Sequence, residues 1–292
     1  VTAPSLAPLA GKTFAPERQH YGVRDTQLYA LGLGIGHDPC DAFQLAYLRA
    51  DSPEVVPTQA AVLAASSAWM RDPANGIDWA RLVALSHRIE LDRELPPQGS
   101  VESRLQVTEV QDRGAGRGAI ICWTRELFGE DGRRLAQVRG RALARGNGGF
   151  GGAAPARESI ASPEGEPESS VTWPTHPAQA LLYALSGDRN PLHLEPEVAR
   201  AAGFPQPILH GLCSLGICTV VVARAMAQQQ DSRRISAISG RYAGVAYPGE
   251  SLRVDLWKPR QDEWRFRCTA VERQAPVIED GVASFAALTN PH

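Results

Sequence analysis

The chain has 292 residues, 43% of them hydrophobic, with 30 basic against 32 acidic side chains. That length supports about two domains of common size, each able to bury its own core. The balanced charge excludes a strongly basic nucleic-acid binder and a protein held to an anionic membrane by charge alone.

No apolar run reaches the roughly 18 residues expected of a membrane span. The opening VTAPSLAPLAGKTF lacks a basic region followed by a long apolar one, and the closing LTNPH lacks a Ser-Lys-Leu address. A soluble, cytoplasmic protein without a membrane span or a nucleic-acid partner is the expectation. The five cysteines, Cys40, Cys122, Cys213, Cys218 and Cys268, are odd in number and scattered, and read as small buried hydrophobes in a reducing compartment.

In chain order, LYAL at 28–31 runs into a glycine-containing turn with Gly34 and Gly36, and residues 58–69 are predicted to form a helix. HRIELDRELPPQGSVESRLQV, at 87–107, is an extended run, a Pro/Gly turn and then alternation of polar and apolar residues, the period of a half-buried strand. A stretch rich in Gly, Ala, Ser, Pro and Glu follows at 146–174, and it reads as a linker.

Beyond it the order repeats. LYAL returns at 182–185, again ahead of a turn; residues 212–228 carry apolar side chains on nearly every face, as in a helix wrapped by its domain; and RYAGVAYPGESLRVDL returns to a turn and alternation. A buried helix embraced by an antiparallel sheet is the hot-dog arrangement. The predicted fold is therefore α+β, a double hot dog of two antiparallel sheets joined side by side, each wrapping a central helix, against two unrelated α+β domains as the alternative. The expected boundaries are an N-terminal repeat at 1–150, a linker at 151–172 and a C-terminal repeat at 173–292.

The halves differ at the turn. Where the first has Gly34 and Gly36, the second has Ser186, Gly187, Asp188, Arg189, Asn190, Pro191 and then His193. Pro191 pushes Asn190 away from helical dihedrals, so a carboxylate, an amide and an imidazole are held close together on a stiff turn. A carboxylate and an imidazole converging on one water can deprotonate it and return a proton, and an amide can orient either. Gly211 opens the buried helix, where unpaired N–H groups stabilise an oxygen that gains negative charge. Each part alone also fits a surface turn, a structural histidine or a helix cap.

These residues resemble a known family. Tyr183-Ala-Leu-Ser-Gly-Asp188-Arg-Asn190-Pro-Leu-His193, Ala202-Gly203-Phe204 and Pro207-Ile-Leu-His-Gly211-Leu-Cys are similar to the R-specific (type 2) enoyl-CoA hydratases, MaoC-like domains also found in peroxisomal multifunctional enzymes. The likeness extends through YGVRDTQLYALGLG, DRGAG, GNGGFGG and RYAGVAYPGESL. It implies a double hot dog, a first repeat without catalytic residues that accommodates acyl group or CoA, and a catalytic second repeat.

The resemblance further implies that Asp188, Asn190 and His193 are catalytic, that the Gly211 N–H is the oxyanion donor, and that Arg113 and Tyr242 contact the CoA substrate. Family members often have His-Gly-Glu-Gln where this chain has Leu85-Ser86-His87-Arg88; in that altered wall Arg88 is a candidate for a phosphate. The implied reaction is reversible syn hydration of a trans-2-enoyl-CoA to an (R)-3-hydroxyacyl-CoA, with an acyl-CoA partner and no metal or other cofactor. A homodimer and activity on medium chains at least equal to that on crotonyl-CoA are expected. The alternatives are a hot-dog acyl-CoA thioesterase and a non-catalytic acyl-CoA-binding protein.

Overall fold

The computed structural model describes residues 4–151 and 165–286. Ten strands, β1 (Glu17–Tyr21), β2 (Leu82–Leu91), β3 (Gly99–Asp112), β4 (Ala119–Phe128), β5 (Arg134–Ala144), β6 (Ser169–Pro174), β7 (Arg234–Tyr242), β8 (Ser251–Arg260), β9 (Glu263–Ala270) and β10 (Ala275–Ala286), form one antiparallel sheet. Its order is β1-β3-β4-β5-β2-β7-β10-β9-β8-β6. Read from its two edges inward, the sheet has the same order in each half, with β6 to β10 in the places of β1 to β5.

The repeat seen in the sequence is thus a repeat of topology, and the fold is a double hot dog. The two sheets are joined side by side, as expected, through β2 and β7, which hydrogen-bond from Ser86 opposite Arg241 to Glu90 opposite Ala237. Pairing these two strands leaves neither half with an exposed edge at the centre.

The second half is wrapped around the Gly211–Gln228 helix, which lies against β7 to β10. Cys213, Leu215, Ile217, Cys218, Val220, Val221 and Val222 are buried on it. Gly216 allows the close approach of Leu33, since a Cβ there would lie 2.5 Å from a Leu33 methyl carbon. This 18-residue helix, with mean hydropathy 1.5, is long and apolar enough to cross a membrane by length and composition only. Here its apolar faces meet the sheet, and 67% of it is buried within the fold.

The first half has no matching helix among the described residues. Residues 58–69, expected to be helical, instead form a 3₁₀ turn at Pro57–Ala61, an irregular stretch through Ala64 at φ +45°, and a single helical turn at Ala68–Arg71. The reason is a side chain that competes for the backbone. The guanidinium of buried Arg125 donates to the carbonyls of Ala60 (2.9 Å), Ala61 (2.7 Å) and Leu63 (2.5 Å). Gln19 and Ser103 take the N–H and C=O of Ala64. Groups that a helix would pair internally are satisfied by the sheet, so the chain can bend.

Ser169–Pro174 is the edge strand of the second half, so that half begins inside the stretch expected to be linker at 151–172. Part of that expected linker, 152–164, lies outside the described residues. Buried Trp173 ties the halves together by donating its indole N–H to the Leu33 carbonyl at 3.0 Å. The alternation expected in β8 buries Leu252, Val254 and Leu256, but Asp255 is buried too, accepting from Ser170 Oγ at 2.7 Å and flanked by Arg253 and Arg267. The five cysteines form no disulfide among the described residues; Cys213, Cys218 and Cys268 are buried as expected, whereas Cys122 is only partly buried and Cys40 is exposed.

Candidate active site

The Gln179–Ala184 helix stops where Gly187 takes φ +123°, a conformation costly for any residue with a Cβ. Asp188 Oδ1 then accepts from the Asn190 N–H, and Asn190 Oδ1 from the Leu192 N–H, both at 3.2 Å. Pro191–His193 closes the turn as a short 3₁₀ helix. Two successive side-chain caps therefore fix the backbone that carries Asp188, Asn190 and His193.

The His193 ring is fixed as well. Its Nδ1 lies 2.9 Å from the Ile208 carbonyl, which can only accept, so Nδ1 carries the hydrogen and Nε2 keeps its lone pair when the ring is neutral. Burial holds the pKa below the ordinary histidine value, against the opposing pull of the Asp188 carboxylate. The neutral ring is therefore the resting form at pH 7.

His210, at the N-cap of the central helix, was given no role from the sequence. It is 1% exposed, stacks on His193 with ring centroids 3.8 Å apart, and donates Nε2–H to the Asp188 carbonyl oxygen at 3.0 Å. Burial, reinforced by the neighbouring His193, pushes its pKa down to about 3. One donor atom from each of Asp188, His193 and His210 lies within 4.8 Å of the others, so this cluster is spaced to hold a metal ion or a single water.

Gly211 begins the helix, and no side chain caps its first N–H groups. A Cβ at Gly211 would lie 2.9 Å from the Tyr242 ring, so only glycine permits this packing without a shift. The Tyr242 hydroxyl lies 2.9 Å from Nδ1 of His87, across the β2/β7 seam. Burial lowers the His87 pKa to about 4. With the ring neutral, one of its nitrogens accepts and the other donates.

Apart from His210, these groups line one cavity of about 650 Å³. Asp188, Asn190, His193, Gly211, Tyr242 and His87 stand at one part of it, and Trp69, Met70, Trp79, Leu82 and Trp123 line the part that reaches into the first half. Arg125, from behind the bent segment, reaches the cavity too; its pKa falls to about 10 on burial, so it stays charged at neutral pH.

Two of the residues expected at the substrate are not brought to this cavity. Arg88 neighbours His87 on β2 and therefore projects from the opposite face of the sheet, where it pairs with Glu90 at 2.9 Å. Arg113 is exposed at the β3–β4 hairpin. Beside it, Asp112 accepts from the N–H groups of Gly114, Gly149 and Gly151 and binds the GNGGFGG loop to the hairpin.

Comparison with known proteins gives one family match in each half of the chain. Residues 19–146 match the MFE-2 hydratase 2 N-terminal domain, and residues 158–281 match the MaoC like domain. The chain is 40% identical over 252 residues to the enoyl-CoA hydratase ChsH3 of Mycobacterium tuberculosis, covering 85% of this chain and 87% of that protein. The chain belongs to the MaoC-like hydratase 2 family. The chain is also 34% identical to the peroxisomal enoyl-CoA hydratase 2 of Arabidopsis thaliana, over 83% of this chain and 84% of that one. Its fold matches the crystal structure of a MaoC-like dehydratase from Phytophthora capsici with a TM-score of 0.78 at 25% identity, covering 96% and 97% of the two chains.

Proposed function

We propose that the chain is a hydro-lyase that adds water reversibly to a trans-2-enoyl-CoA, giving an (R)-3-hydroxyacyl-CoA. The observation that carries this reading is the placement, in one cavity, of two acceptors for water, Asp188 and His193, together with the uncapped N-terminus of a buried helix at Gly211.

In this reading the thioester oxygen lies at the Gly211 N–H, where the helix end stabilises the charge that builds as the β carbon is attacked. A water donates one hydrogen toward the Asp188 carboxylate and the other toward Nε2 of neutral His193, while Asn190 orients the turn and the water. Its oxygen bonds to the β carbon, its proton passes to the Asp188–His193 pair, and the pair delivers a proton to the α carbon on the same face. The addition is therefore syn, and the reverse sequence is dehydration. The thioester makes the β carbon electrophilic, so the scheme uses no metal or redox cofactor; CoA enters as part of the substrate.

The first half accommodates the acyl group or CoA. The lining by Trp69, Met70, Trp79, Leu82 and Trp123 supports an apolar occupant there, in the space left without a central helix. Tyr242 supports the Gly211 end of the site. Arg113 is proposed as a CoA contact at the exposed hairpin. Arg88 has no place in this scheme. We further propose a homodimer in the cytoplasm, tested by light scattering and by fractionation.

The deciding assay follows loss of the conjugated enoyl thioester absorbance with crotonyl-CoA and a medium-chain enoyl-CoA, with product chirality and free thiol scored together. The expected result is (R)-3-hydroxyacyl-CoA from both, with the medium chain turned over at least as fast. Release of free thiol instead would assign the chain to the thioesterases, and binding without turnover would leave a carrier of acyl-CoA.

A further inference from the structure

Three features of His210 go beyond what a buried helix-capping histidine needs. Its side chain makes no cap to the helix it precedes. It turns toward the catalytic turn instead, and its Nε2–H donates to the backbone carbonyl of Asp188 at 3.0 Å. Its face lies against the His193 ring at 3.8 Å with 29° between the planes, and the Tyr183 ring is tilted beside it with centroids 4.8 Å apart. At 1% exposure the ring has almost no freedom to move, and Nδ1 has no hydrogen-bond partner.

We propose that His210 is a positioning residue for the hydration, fixing the peptide of Asp188 with one atom and the plane of His193 with its face. The proposal rests on the hydratase reading above. Its physical basis is that Asp188 and His193 are five residues apart on a turn whose caps act on backbone N–H groups, and none of those caps holds the Asp188 carbonyl. The His210 hydrogen bond supplies that restraint. The stack supplies the second, because the Nδ1 bond fixes one atom of the His193 ring and the stack fixes its plane.

The neutral state suits the stack, since a charged ring would still donate Nε2–H but would repel a protonated His193. A protonated His210 beside a His193 that has just taken a proton would place two cations 3.8 Å apart between centroids, so the depressed pKa of His210 keeps it a neutral support throughout the cycle. The titratable groups that face the ring are Asp188 and His193 from the turn and Tyr183 from the preceding helix, with Tyr242 and His87 also lining the active-site cavity.

The test compares full-length wild type with His210→Phe, which retains an aromatic ring but no donor, and His210→Gln, which reaches a donor toward the Asp188 carbonyl without a ring. With the same enoyl-CoA, His210→Phe is expected to lower kcat by roughly 10- to 100-fold with KM within about twofold, the signature of a misplaced catalytic group. His210→Gln is expected to recover most of that loss.

A kcat for His210→Phe within about twofold of wild type, or a Gln variant no better than Phe, overturns the proposal. Nitrogen NMR on the wild type gives a second test that needs no variant to fold. The expected state at pH 7 is a neutral His210 protonated on Nε2, and a charged ring or the Nδ1–H tautomer would overturn it. A wild type with no hydration activity removes the hydratase reading and this inference together, whereas an active wild type with unaffected variants removes the inference alone.

Discussion

The two halves share one strand order and differ in what fills the space beside the sheet. In the second half an 18-residue apolar helix occupies it, and the start of that helix faces the cavity at Gly211. In the first half the corresponding stretch, rich in Ala and Ser, is bent and held by Arg125, and aromatic side chains line the space instead. One half has a buried helix whose N-terminus faces the cavity, and the other has an apolar space beside its sheet. Two halves with one strand order can thus differ in what they place against that sheet.

The largest effect expected is at the turn that only the second half possesses. Asp188→Ala and His193→Ala should each lower kcat by about 10²- to 10⁴-fold with the protein still folded, as read by steady-state turnover and circular dichroism. Turnover within tenfold of wild type in either variant would break the assignment of the chemistry to this turn.

In the first half the matching test is on stability. Arg125→Met removes a buried guanidinium that serves the carbonyls of Ala60, Ala61 and Leu63, and should cost about 3–5 kcal/mol in urea unfolding. A smaller effect would mean that the bent segment is held by packing alone. Gly211→Ala should lower kcat by roughly tenfold or more, because the added methyl meets the Tyr242 ring and shifts the helix N-terminus from the oxyanion.

Acid should weaken the seam between the halves. The folded pKa of His87, about 4, lies below the ordinary histidine value of the unfolded chain, so the unfolded state binds more protons between those two values and stability falls as pH drops through that window. At pH 5 the loss from His87 alone is about 2 kcal/mol, and His193 and His210 act in the same direction. Urea unfolding at pH 7 and pH 5, with His87→Phe as the control that flattens the difference, measures it. The smallest effect belongs to the first-half wall: Trp79→Ala should raise KM for a medium-chain substrate by about fivefold, worth about 1 kcal/mol, and leave crotonyl-CoA nearly unaffected.

Much of this was legible because it is local. Asp188, Asn190, Pro191 and His193 lie within six residues, and the capping hydrogen bonds that hold them are made by the same six. The repeat was legible because strand alternation and turns recur in the same order. Arg88 was misplaced because its neighbour His87 is the one that faces the cavity, and a strand sends adjacent side chains to opposite faces. The helix expected at 58–69 failed because its competitor, Arg125, is more than fifty residues away in the chain and its charge gives no sign of burial.

By itself the sequence determined the α+β class, the duplicated strand order and the composition of the catalytic turn, since periodicity, turn chemistry and backbone restriction act over a few residues. Only the tertiary structure decided that the sheets join through β2 and β7, that a single central helix is found among the described residues, that His210 stacks on His193, and that His87 meets Tyr242 beside the turn. Those outcomes depend on which distant group satisfies a backbone carbonyl, pairs with an open strand edge or covers an apolar face, and such competition is settled only when the chain is packed.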